Sequence, residues 1–229
     1  LLLDKGGLYK IYNGNLLFHG SIPLNEDGTF REVQIYGKSY KGKELYDVLE
    51  TYVRRAFYSV GKEEQKKGRD IMWYIWSNEN SPVYGKEKMA TFERYFIADK
   101  EVQIERKDHY YRLIEKEEVV NNILKEFNVD IEKGHIINGH MPVHVKEGES
   151  PVKCNGKVMI IDGGFSKAYR GTTGIAGYTL IYNSWGLLLV SHETFTSTED
   201  VIEKEIDVHS DTVIREISAQ REKVGDTET

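Results

Sequence analysis

The sequence predicts an α/β fold, which some schemes class as α+β, in which short strands alternate with helices. Two apolar runs, at 15–24 and 134–143, each reach a histidine that is followed by small residues and a proline. An amphipathic stretch at 119–127 has helical spacing and leads directly into the second run. Because a helix that feeds a buried strand is the repeating unit of layered α/β proteins, we expect a sheet flanked by helices.

Composition narrows the class of protein. The 229 residues include 37 acidic and 31 basic side chains, for a formal charge of −6, which argues against a general nucleic-acid or membrane-surface binder. The single cysteine, Cys154, excludes an internal disulfide framework and suits a reducing compartment. No signal peptide or bilayer-spanning apolar run is evident. We therefore expect a cytoplasmic protein with no nucleic-acid or membrane partner.

The first half of the chain predicts a hairpin, a helix and a short strand. Alternation over 8–18 around Asn-Gly predicts a hairpin whose second strand delivers His19. Apolar residues at helical spacing over 44–58 predict an amphipathic helix. We interpret the charged segment 61–68 as a solvated connector and the aromatic run 71–76 as a short buried strand, followed by a loop at 77–85.

The second half predicts strands separated by loops. A charged surface excursion at 98–118 precedes the helix at 119–127, which stops near Asn128 before the strand that begins at His135. Two further hairpins follow, one over 152–161 about Asn155-Gly156 and one formed by 177–182 and 187–192.

The two histidine loops are the first candidate site. Gly139 permits a tight backbone after the strand, and Pro142 cannot continue a central ladder, so His140 would lie at a strand end. His19 occupies a similar setting. Neutral imidazole is the commonest metal ligand, and two such ends can converge on one ion if their strands are neighbours. The alternative is that each is an ordinary loop that contains a histidine.

A second candidate is the glycine-rich stretch 162–174, which contains Ser166, Lys167 and Arg170. Its backbone NH groups and cations could surround an anionic ligand. The glycine spacing and the following residues differ from those of a Walker loop. By glycine content alone, the stretch also fits an ordinary turn.

The sequences FHGSIP at 18–23 and NGHMP at 138–142 resemble the last two histidine motifs of the calcineurin-like metallophosphoesterases, in the branch that contains the serine/threonine protein phosphatases. WYIWSN at 73–78 resembles that branch's strand ending in Trp-Ser-Asp, with Asn78 in place of the aspartate. Longer segments, including 8–28, 73–97 and 135–192, resemble the class III (Firmicutes-type) fructose-1,6-bisphosphatases over nearly the whole chain.

This resemblance implies the C-terminal half of a metallophosphoesterase β-sandwich with a binuclear Mn²⁺ site. It implies that His19 and His140 bind the same ion. It also implies that Asn138 and Asp162 support the metal ligands without binding the ion, with Asp162 orienting the loop or a histidine. Arg94 would bind phosphate, because that branch places such an arginine after its Trp-Ser-Asp strand; the alternative is a structural ion pair. The resemblance also assigns the glycine-rich stretch to the substrate, through Ser166, Lys167 and Arg170.

Three motifs of the superfamily do not occur in the sequence: an early Asp-x-His, Gly-Asp-x-x-Asp and Gly-Asn-His-Asp/Glu. We therefore expect the C-terminal part of a larger enzyme, with part of the metal shell and without the general acid, so that the isolated chain would be inactive. On this interpretation 1–196, with a helical segment at about 43–60, belongs to the catalytic domain, and 197–229 is a charged, incomplete element. The remaining histidines are expected to be structural or on the surface: His109, His135, His144, His192 and His209.

The expected activity is metal-dependent hydrolysis of fructose 1,6-bisphosphate to fructose 6-phosphate and phosphate, a step of gluconeogenesis. The partner would be a small sugar bisphosphate, and self-association into a homo-oligomer is left open. One alternative is a calcineurin-like phosphatase that acts on phosphoproteins or dinucleotides. Another is a non-catalytic binding or assembly module whose histidines are structural.

Overall fold

The structure, a computed structural model, describes residues 2–164, 173–193, 197–204, 210–215 and 223. It has the mixed helix and strand content of an α/β fold. The helices are α1 (Leu2–Lys5), α2 (Gly42–Tyr58), α3 (Lys62–Ser77), α4 (Thr91–Phe96), α5 (Tyr110–Leu113), α6 (Glu117–Glu126) and α7 (Thr198–Lys204). The strands are β1 (Tyr9–Tyr12), β2 (Asn15–Phe18), β3 (Val33–Ile35), β4 (Lys38–Tyr40), β5 (Ile136–Asn138), β6 (Val152–Lys153), β7 (Val158–Ile160), β8 (Gly177–Asn183), β9 (Gly186–His192) and β10 (Ser210–Arg215).

The largest sheet has five strands in the order β1-β2-β5-β7-β6. Strands β2, β5 and β7 are parallel to one another, and β1 and β6 pair antiparallel to their neighbours at the two edges. The carboxyl ends of the three parallel strands therefore meet at one edge of the sheet, which is where open α/β sheets hold ligands.

The predicted hairpins at 8–18, 152–161 and 177–192 are confirmed. Asn13 and Gly14 both have positive φ angles, of 49° and 69°, as a two-residue type I′ turn requires. Asn155 and Gly156 likewise have positive φ angles at the turn between β6 and β7.

The smaller sheets have two and three strands. Strands β3 and β4 form a hairpin, and β9 lies between β8 and β10. Strand β10 comes from the segment that the sequence suggested was incomplete, yet it pairs antiparallel with β9. In the described part of 197–229, residues 210–215 are thus a strand of this sheet.

The main core lies between α6 and one face of the five-stranded sheet. The predicted helix is confirmed, with Val120, Ile123 and Leu124 fully buried on one side of α6. Leu16 of β2 and Ile136 of β5 join the same hydrophobic cluster. Burial of each of these side chains contributes about 1.5–3 kcal/mol, so the cluster stabilises the packing of α6 on the sheet.

A second core cluster joins α2, α3 and the β3–β4 hairpin through Val33, Ile35, Leu45, Leu49, Ile71 and Ile75. The predicted buried strand at 71–76 and the connector at 61–68 are therefore wrong, because both segments belong to α3. Ile71 and Ile75, four residues apart, are buried against this cluster, while Trp73 and Trp76 are each 65% exposed. Four-residue spacing is helical, and the two tryptophans of the aromatic run lie on the solvent side, while Tyr74 packs against the cluster.

Among the described residues, the search for a helix long and apolar enough to cross a bilayer found none.

Candidate metal centre

His19 and His140 lie side by side at the carboxyl edge of the five-stranded sheet. Strand β2 pairs with β5 in parallel, so the residues that follow the two strands emerge together. The Gly139 NH donates to the His19 carbonyl at 3.0 Å, which joins the two loops. The Nε2 atom of His19 is 2.9 Å from Nδ1 of His140.

The backbone of His140 differs from the prediction. His140 itself has a positive φ, of 69°, whereas Gly139 does not. The tight turn that the sequence assigned to the glycine is therefore made by the histidine. Histidine is one of the few residues besides glycine that adopts this conformation with appreciable frequency.

The ring of His140 is held in one orientation by a backbone carbonyl. Its Nε2 is 2.9 Å from the carbonyl oxygen of Tyr84, which can only accept, so Nε2 carries the proton. In the neutral imidazole, Nδ1 then has its lone pair directed at His19. Burial lowers the pKa of His140 below its usual value, while the bond to Tyr84 opposes that shift. The neutral form that binds metals is therefore favoured.

The predicted supporting residues contact the histidine loops. Asn138 is buried and donates through Nδ2 to the Gly20 carbonyl at 3.0 Å. Asp162, which follows β7 at the same sheet edge, accepts the Val143 NH through its carbonyl at 2.9 Å. Its carboxylate accepts the Gly164 NH at 2.9 Å. These contacts do not test a role in metal binding, so the proposed support of the metal ligands by Asn138 and Asp162 stays a prediction.

A groove of about 790 Å³ opens beside the two imidazoles. This volume lies in the range of sites for small organic ligands. Leu17 and Ile137 form part of its floor, on the sheet face opposite the main core. Its other lining residues include Lys5, Lys10, Glu50, His19, His140 and Asp162.

The imidazole pair fits one metal ion as two of its ligands. Two nitrogens about 2.1 Å from one ion and at right angles lie about 3 Å apart, close to the observed 2.9 Å. The Tyr84 carbonyl on the far nitrogen is the type of partner that orients metal-binding histidines. The described part of the chain contains no group of three or more histidine, cysteine, aspartate or glutamate side chains placed to hold a metal ion.

Arg94 lies on α4 and does not follow a strand. The residues that resembled a Trp-Ser-Asp strand end helix α3 instead, so the positional reason for choosing Arg94 is wrong. Its guanidinium is 3.4 Å from the Glu105 carboxylate, which matches the alternative of a structural ion pair. Phosphate binding by Arg94 stays a prediction.

The other predicted residues fall into two groups. Ser166, Lys167, Arg170 and His209 lie outside the described residues. His109 precedes α5, and its carbonyl accepts the Leu113 NH at 3.0 Å. The three remaining histidines have polar neighbours. His135 bonds Asn15, His192 bonds Thr179 and Ser210, and His144 is 3.8 Å from Glu147.

The sequence did not indicate that residues 81–86, which we call the 81–86 loop, contact the two histidine loops. The sequence marked this segment as a loop by Pro82 and Gly85 but suggested no contact with the histidines. Its contacts are made by carbonyl oxygens, which every residue type carries. The glycine of FHGSIP was the one sequence feature that indicated a close neighbour, because Gly20 packs directly against the loop.

The family profile of the Firmicute fructose-1,6-bisphosphatases matches residues 1–229. The chain belongs to this family.

Several curated relatives are named fructose-1,6-bisphosphatase class 3. The protein of Clostridium acetobutylicum is 56% identical over 99% of this chain and 34% of its own length. That of Clostridium tetani is 56% identical over 97% of this chain and 34% of its own length, and that of Alkaliphilus metalliredigens is 52% identical over 99% and 35%. The chain thus spans about a third of the length of these relatives. No solved structure matches it.

Proposed function

We propose that this chain forms part of a phosphatase that hydrolyses fructose 1,6-bisphosphate to fructose 6-phosphate and phosphate. The names of relatives that are 52–56% identical to the chain support this substrate. The observation that carries the chemistry is the His19 and His140 pair, 2.9 Å apart at the carboxyl edge of neighbouring parallel strands.

We propose that Nε2 of His19 and Nδ1 of His140 bind one Mn²⁺ ion of a binuclear centre. When bound, such ions polarise phosphoryl oxygens and lower the pKa of a water molecule so that it can attack phosphorus. Imidazole ligands are compatible with Mn²⁺ but do not select it over other ions of the first transition row.

The groove beside the histidines is the proposed position of the sugar bisphosphate. Lys5 and Lys10 line it and supply cations for the phosphates, while the carboxylates of Asp4, Glu50 and Asp162 line the same groove. The proposed phosphate-binding residues are Arg94, Ser166, Lys167 and Arg170. Asn138 and Asp162 are proposed to support the histidine loops. The general acid is proposed to lie outside this chain.

The proposal places the enzyme in the cytoplasm, where sugar phosphates are metabolised and where the single Cys154 suits the reducing environment. Its partner is a small-molecule substrate, with no nucleic acid or membrane involved.

The test is a chimaera in which this chain replaces the matching third of the Clostridium acetobutylicum relative. We expect it to hydrolyse fructose 1,6-bisphosphate with Mn²⁺. His140→Asn should reduce kcat at least 100-fold, because asparagine tolerates a positive φ but removes the imidazole. The matched control is His192→Gln, in the three-stranded sheet, which should keep full activity.

Two outcomes would overturn the proposal in different ways. Hydrolysis of a phosphoprotein or a dinucleotide, but not of the sugar bisphosphate, would refute the substrate and leave the metal pair standing. Full activity in the His140→Asn chimaera would refute the metal pair.

A further inference from the structure

The 81–86 loop contacts both histidine loops through its backbone. The Ser21 NH donates to the Pro82 carbonyl at 2.9 Å, two residues from His19. The Tyr84 carbonyl accepts from Nε2 of His140 at 2.9 Å. One short segment thus touches the chain on both sides of the imidazole pair.

The loop packs closely against the residue that follows His19. A Cβ built on Gly20 would lie 2.7 Å from the Pro82 oxygen and 2.8 Å from the Val83 oxygen. On the His140 side the link is the bond from Nε2 to the Tyr84 carbonyl. A shift of Tyr84 would therefore alter the bond that orients the His140 ring.

The far end of the loop is held by the segment 105–108. The Asp108 NH donates to the Gly85 carbonyl at 3.0 Å, and the Glu87 NH donates to the Arg106 carbonyl at 2.9 Å. The carboxylate of Glu105 adds side-chain contacts to these backbone bonds. It accepts from Nζ of Lys86 at 2.9 Å and from the Ala90 NH at 2.8 Å, and it lies 3.4 Å from Arg94. The side chains of Lys86 and Glu105 are each only 17% exposed. An ion pair with this degree of burial is screened less by solvent than a surface pair.

We propose that Glu105 is a positioning residue for the imidazole pair, acting through Lys86 and the Tyr84 carbonyl. By holding the 81–86 loop in place, it keeps the proton of His140 on Nε2 and leaves Nδ1 free to bind an ion. The effect of Glu105 on metal affinity rests on the proposed metal-binding function. Its effect on the His140 tautomer does not require metal. Residues that orient metal ligands typically change metal affinity 10- to 100-fold when they are removed.

The test compares Glu105→Gln with wild type in the metal-free chain by long-range ¹H–¹⁵N NMR of the histidine rings at pH 8, where the lowered pKa of His140 keeps its imidazole neutral. Wild type should show His140 in the Nε2–H tautomer. Glu105→Gln should show a mixture of tautomers, because loss of the ion pair with Lys86 loosens the loop that carries the Tyr84 carbonyl. Lys86→Gln breaks the same pair from the other side and should have the same effect.

The matched control is Glu101→Gln, an exposed acid in the same segment, which should leave the tautomer unchanged. Glu105→Gln and Lys86→Gln are then titrated with Co²⁺, and each should bind the ion about tenfold more weakly than wild type does. A wild-type tautomer with unchanged Co²⁺ affinity in both variants would overturn the inference and leave the proposed function intact. A tautomer shift in a chain that binds no Co²⁺ would support the inference and count against the metal centre.

Discussion

His140 occupies the left-handed region of the backbone map, with φ of 69°. For a residue other than glycine this conformation costs roughly 1–3 kcal/mol and persists only where neighbouring contacts enforce it. Here the Tyr84 carbonyl holds the ring, and the Gly139 NH binds the His19 carbonyl. The sequence could predict a tight turn after the strand, but it could not show which residue of Asn-Gly-His would take the positive φ.

Gly20, adjacent to His19, should be intolerant of any side chain. A Cβ at this position would lie within 3 Å of two carbonyl oxygens of the 81–86 loop, and a backbone cannot yield as a flexible side chain does. We expect Gly20→Ala to lower the free energy of unfolding by about 1–3 kcal/mol, as overpacking does. Urea denaturation measures this change.

The matched control is Gly139→Ala in the other histidine loop. Its Cβ would meet only ordinary contacts, with the Cβ of Asp162 at 3.5 Å and the His19 oxygen at 3.9 Å, and no positive φ is required. Its stability should stay within about 0.5 kcal/mol of wild type. Equal destabilisation by both substitutions would contradict the packing described for the 81–86 loop.

At the scale of elements, prediction succeeded where local chemistry decides the structure. Asn-Gly pairs specify the hairpins at Asn13 and Asn155, and the amphipathic spacing specifies α2 and α6. Prediction failed at α3, where an apolar run with aromatic residues fits either a strand or a helix over so short a length. Packing of Ile71 and Ile75 against α2 settles the choice, and that contact depends on tertiary structure.

Two substitutions distinguish the helix from the predicted strand. In a strand, Trp73 and Ile75 would share one face, whereas in α3 Ile75 is buried and Trp73 is exposed. We expect Ile75→Ala to lower the free energy of unfolding by about 2–5 kcal/mol. Trp73→Gln should change it by less than about 0.5 kcal/mol. Comparable losses in the two variants, measured by urea denaturation, would contradict the helix.

At the scale of the whole molecule, the site depends on two segments that are 121 residues apart. The sequence could place each histidine at the end of a strand. It could not show that β2 and β5 are neighbours and parallel, because that arrangement arises from the packing of α6 and the core on the sheet. The resemblance to metallophosphoesterases supplied the pairing that periodicity alone left open.

The measurement that tests the central claim most directly is calorimetric titration of this chain with Co²⁺, which binds imidazole sites more tightly than Mn²⁺ does. We expect one ion to bind, with affinity at least tenfold weaker in His19→Ala and in His140→Asn and unchanged in His192→Gln. Equal affinity in all four proteins would contradict the claim that His19 and His140 together form one half of a metal site.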